Sequence, residues 1–116
     1  MSVYFNIQAN SPEEYEALES EGAPWCNVSN SVGQIIVGWL TGEKVEDYAG
    51  SLNPEEVLDN IPVARKFAAE YDLADGPKWV LTEDGGKWAN AWENRVNSIQ
   101  VVLIAAQRLG RNVIWG

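Results

Sequence analysis

Trp88, Trp92, Val96, Ile99, Leu103 and Ala106 recur at intervals of three or four residues, and this apolar stripe limits the possible folds more than any other feature of the chain. A backbone with 3.6 residues per turn brings such positions onto one face, so the stripe predicts a long amphipathic helix whose apolar side must be covered. Gly110 sits where a glycine favours the left-handed residue that closes a helix, which sets the expected span at 88–109. The rest of the chain has to supply the cover.

Strands at the two ends are the first candidates. From Val3 to Ala9 the chain is rich in β-branched and aromatic residues, with Val3, Phe5 and Ile7 on one face and Tyr4, Asn6 and Gln8 on the other. That alternation describes a half-buried strand. Asn112 to Trp115 reads as a closing strand, and Lys78 to Leu81 as a candidate third after the Asp75-Gly76-Pro77 turn. Between them, Ser11-Pro12-Glu13-Glu14 carries an N-cap serine, a proline suited to the first helical position and acids over the positive end of the helix dipole. It starts a short helix in which Tyr15 and Leu18 are expected to face inward while Glu13, Glu16 and Glu19 face out, with Gly22 and Pro24 ending it. Val32, Ile35, Ile36, Trp39 and Leu40 have helical spacing before Gly42, although Gly33 and Gly38 keep a strand over 34–40 open as the alternative. If the segment is a helix, one of those glycines is expected to permit close packing. The segment carrying Trp25 and Cys26, with the polar run Asn27 to Ser31 after it, and residues 41–52 read as loop. Asn53-Pro54-Glu55-Glu56 repeats the helix-start grammar, and Pro62 divides the helical stretch beyond it into helices near 54–60 and 62–71.

The expected architecture is an α+β domain: a small sheet formed from strands at about 3–9 and 112–115, with 78–81 as a further candidate, covered by four to five helices. A chain of 116 residues suits one compact domain over 1–116. At that size folding hides roughly two-thirds of the surface of the unfolded chain, enough to need no metal or disulfide. The single Cys26 cannot form an internal disulfide, and no basic segment leads into an apolar run. Both point to a reducing, cytoplasmic setting. The longest apolar stretch, Val101 to Ala106, is far short of a membrane span.

Charge divides the chain. Its formal net charge of −9 lies wholly in residues 1–58, where ten acids face the single base Lys44, whereas residues 59–116 hold seven acids and seven bases. Five of the acids, Glu13, Glu14, Glu16, Glu19 and Glu21, fall within nine residues with no base among them. Such a field repels nucleic-acid phosphates and anionic lipid and speeds encounters with a basic protein surface, while also favouring solubility. Direct nucleic-acid or membrane binding is therefore not expected.

Catalytic signals are sparse. The absence of histidine removes the usual Ser-His-Asp and Cys-His systems and histidine-containing zinc sites. Cys26 has neither a base nor a cation beside it in sequence and reads as a small packed thiol. No phosphate-binding loop, dinucleotide fingerprint or calcium loop appears, and Glu83-Asp84-Gly85-Gly86-Lys87 reads as a turn into the last helix. No catalytic residue, metal ligand or cofactor is assigned. Of the six Trp residues, Trp39, Trp88 and Trp92 lie on apolar stripes. Trp25 and Trp115 are less committed to a core and are candidate interface or pocket residues, although either can fold back over the sheet. Asn90, Asn94 and Asn97 form an amide stripe along the long helix, a second candidate contact surface.

In size, acidity and lack of catalytic apparatus the chain resembles, as a type, toxin-neutralising immunity proteins and phage-encoded inhibitors of bacterial defence. That resemblance implies a non-catalytic inhibitor occluding the basic surface of a toxin or nucleic-acid-binding protein, with the Glu13 to Glu21 cluster supplying the steering charge. The alternatives are a module that sequesters a small ligand in a pocket of Trp and Asn side chains, and a carboxylate-dependent hydrolase.

Overall fold

The computed structural model describes the backbone of residues 2–75, 78–80, 87–89 and 91–116 and the side chains of residues 2–74 and 91–116. In chain order the elements are β1 (Ser2–Ile7), α1 (Pro12–Ser20), β2 (Cys26–Ser29), α2 (Asn30–Thr41), β3 (Gly50–Leu52), α3 (Pro54–Val57), a 3-10 turn (Leu58–Asn60), α4 (Ile61–Asp75), β4 (Lys78–Val80), β5 (Lys87–Ala89), α5 (Ala91–Leu109) and β6 (Val113–Trp115). The fold is α+β. Four strands form an antiparallel sheet in the order β2-β1-β6-β3, which makes the chain's two ends its centre.

Alternation along β1 gives the sheet two unlike faces. Val3, Phe5 and Ile7 are buried with Val28, Val113 and Trp115 under α2 and α5, while Tyr4 points to the other side. Phe5 and Trp115 are paired across β1 and β6, with ring centroids 6.1 Å apart and planes 13° from parallel. Gly33 allows α2 to lie this close to the sheet. A Cβ there would stand 2.5 Å from Val3 Cγ2 and 3.3 Å from Val28 Cγ2. Thus 34–40 is helix, part of α2, and of the two glycines in α2 Gly33 is a packing contact.

The stripe on α5 is the middle of the core, with Trp92, Val96, Ile99, Val102, Leu103 and Ala106 all buried. Its start differs from the expected one. Trp88 belongs to β5, and the helix begins at Ala91, where Asp72 of α4 accepts from the backbone N–H of Trp92 at 2.9 Å and of Glu93 at 3.2 Å. That carboxylate meets the positive end of the α5 dipole and satisfies two donors no helical carbonyl reaches. The four-residue spacing from Trp88 to Trp92 spans this boundary, so periodicity runs straight through it.

Three further expectations are corrected. β2 and β3 lie in segments that read as loop. Each is too short for alternation to register, with Val28 and Leu52 their only buried residues. β4 exists but does not join the main sheet: it pairs with β5 in a separate two-stranded one. Tyr15 does not face a core, because α1 has no buried residue. Gly76, Pro77 and the expected turn over 83–86 lie outside the described residues. Pro62 is the second residue of α4, where a proline is tolerated because its missing N–H has no helical partner to lose. Among the described residues no buried side chain is polar or charged, and no helix is long and apolar enough to cross a membrane.

Candidate functional site: an acidic aromatic groove

Ser11 accepts from the Glu14 N–H at 3.1 Å and Pro12 starts the first turn, so α1 is well capped although it buries nothing. It is anchored instead at its margins. Arg111, just beyond α5, pairs with Glu14 at 2.7 Å, and Leu18 is half-buried against the edge of the core. Between α1 and β1 this leaves a groove of about 630 Å³.

Tyr15, Leu18 and Glu19 stand at i, i+3 and i+4, one side of α1, and line the groove together with Gly22, just beyond the helix end. Tyr4 and Asn6 from β1 form its floor, and Trp25 comes from the turn after α1. Three aromatic side chains are thereby left open to solvent around one depression: Tyr4 is 44% exposed, Tyr15 55% and Trp25 59%. The rings of Tyr4 and Trp25 lie 6.0 Å apart at 35°. Glu19 is the charged side chain among the lining residues, and Glu13, Glu16 and Glu21 are exposed elsewhere on the same helix or its C-cap, outside the lining.

The structure therefore brings Trp25 together with Glu19 alone of the acidic cluster, and separates the other candidates from both. Glu14 belongs to the ion pair with Arg111 and is about three-quarters shielded, so it contributes less to the outward field than its neighbours. Trp115 is 3% exposed and stacked on Phe5, which makes it a core residue rather than an interface anchor. The backbone of Gly50 runs so close beneath it that a Cβ would lie 2.8 Å from the indole Nε1. Asn94 and Asn97 are exposed on α5, away from the groove lining. Asn97 accepts from Arg65 Nε and Nη2 at 3.1 and 2.8 Å, and Arg65 also donates to Gln100, a cross-link between α4 and α5. Asn90 lies outside the described residues.

Cys26 is half-buried on the core side of β2, and burial pushes its thiol from an ordinary value of 9.0 up to about 11. A thiol that stays protonated at neutral pH is a poor nucleophile. Trp39 packs with Phe67, Tyr71 and Trp92, at centroid separations of 5.1 to 5.7 Å, and joins α2 to α4 and α5. Every described carboxylate is at least partly exposed, and among the described residues no three His, Cys, Asp or Glu side chains converge as metal ligands do.

Sequence reasoning does not single out Tyr4, Asn6 and Tyr15 as site residues. The signal for the first two is present, since alternation already places them on the face opposite Phe5. Tyr15 is harder, because a Tyr and a Leu three apart on a short helix look the same whether they meet a core or a groove. Fold and site together define a class: a small α+β protein whose groove is lined by three exposed aromatic side chains and one acid, Glu19. Comparison with protein family models, with curated proteins and with solved structures finds no match for the chain.

Proposed function

We propose that the chain is a non-catalytic binding protein that covers a basic surface of a partner protein, an inhibitor of the kind that blocks a toxin or a nucleic-acid-binding protein. One observation carries this reading: three solvent-exposed aromatic side chains are gathered around a groove, and the helix that forms its wall presents Glu13, Glu16 and Glu19 to solvent. Central aromatic anchors with a polar rim are the usual composition of a protein interface, and rim charge of one sign accelerates encounter with a surface of the other. With its three aromatic side chains exposed to solvent, the groove offers a surface that a partner protein can cover.

Affinity capture from the native host tests the proposal, with the unmodified chain, Trp25→Ala and the combined Glu13→Gln, Glu16→Gln, Glu19→Gln variant run in parallel. A basic protein retained by the first and depleted with both variants supports it. Equal retention by all three overturns it.

A further inference from the structure

We infer that the groove beside α1 is an arginine-reading site: it takes the guanidinium of one partner arginine over the Tyr4 and Trp25 rings, with Glu19 as its counter-charge. This rests on the proposed binding function and names the chemistry of its central contact.

An apolar occupant alone would fit the three rings, but would make no use of the polar side chains of Glu19 and Asn6 in the same lining. A cation uses both kinds of lining. The faces of Tyr and Trp carry negative charge density that attracts a cation held within about 6 Å of the ring centre. Tyr4 and Trp25 stand 6.0 Å apart at 35° and both are exposed, so a flat group can reach their rings from solvent. Glu19 adds a full negative charge, and no base is among the lining residues. Arg111, the base that reaches α1, is paired with Glu14.

Arginine fits these features better than lysine. Its planar guanidinium can stack on a ring while its edge still donates two parallel hydrogen bonds to a carboxylate, and it loses hydration more readily than an ammonium. The Asn6 amide is a further acceptor within the same lining.

The test titrates the intact protein with three capped tripeptides, acetyl-Gly-Xaa-Gly-amide with arginine, lysine or norleucine at the centre, followed by amide and indole N–H spectra. The expected result is that the arginine peptide shifts the Trp25 indole N–H and the amides of Tyr4, Asn6 and Glu19, lysine binds several-fold more weakly, and norleucine weaker still. Trp25→Ala should weaken arginine binding about tenfold and Glu19→Gln several-fold, whereas Glu13→Gln, equal in charge but outside the lining, should have a smaller effect. Trp25 and Glu19 are exposed, so both variants should keep the unmodified melting temperature.

Equal shifts with norleucine, or arginine shifts spread over the Glu55 and Glu56 region and absent from the groove, overturn the inference. The two proposals fail separately. Loss of partner capture with the triple glutamine variant, without any arginine selectivity in the groove, refutes this site and keeps the acidic face. Arginine binding here with equal capture by every variant does the reverse.

Discussion

At the residue scale, glycine and cysteine show how little a composition says until neighbours are known. Gly33 weakens the case for a helix when only the sequence is considered, yet its value is the missing Cβ, which would otherwise press on Val3 and Val28. Gly33→Ala should therefore destabilise the protein by roughly 1 to 3 kcal/mol, despite alanine's better helix propensity, as measured by chemical denaturation. Unchanged or increased stability would mean that α2 can lift from the sheet at no cost. Cys26 offers a pH test. A folded thiol near 11 against an ordinary 9.0 is protonated throughout the neutral range, so alkylation of the native protein by iodoacetamide should stay slow at pH 8 and rise only as pH approaches 11. The linkage has the same sign. The folded state holds the proton more tightly, so this group's contribution to stability is complete below pH 9 and is lost as pH rises through 11. Rapid alkylation at pH 8 would contradict the burial of β2's inner face.

At the element scale, what is legible in the sequence comes from repetition. The α5 stripe, the alternation in β1 and the capping grammar before α1 and α3 each extend over enough residues for a period or a motif to appear. β2 and β3 have four and three residues, and what makes them strands is pairing with β1 and β6 far away in the chain. No local pattern carries that. The α5 boundary is hidden for the same reason, because its cap comes from Asp72, 20 residues earlier and on another helix. Asp72→Ala should cost about 1 to 2 kcal/mol by removing two charge-assisted hydrogen bonds at a helix N-terminus, and Asp72→Asn less, since one acceptor remains. Thermal unfolding of both variants measures this. Identical midpoints for the two variants and the unmodified protein would show that water replaces the carboxylate without loss.

At the scale of the whole molecule, five of the ten acids in residues 1–58 fall on one element, α1 with its C-cap. The apolar face of β1 is covered by α2 and α5, while its other face is left to α1, the helix that buries nothing and bears the densest run of acids. The acidic half is plain in the sequence, and so is Trp25. The groove is not, because Tyr4 of β1 and Tyr15 of α1 line it together, two residues that as sequence have no reason to share a site. Acidity that only maintained solubility would need no such arrangement. The central claim is that this face steers and holds a basic partner. Its most direct measurement is the association rate with the captured partner, by stopped flow across ionic strength, for the unmodified protein and for the combined Glu13→Gln, Glu16→Gln, Glu19→Gln variant. Steering predicts an on-rate lower by about tenfold in the variant at low salt, and a gap that closes as salt screens the unmodified protein. On-rates that are the same for both proteins and indifferent to salt would contradict it.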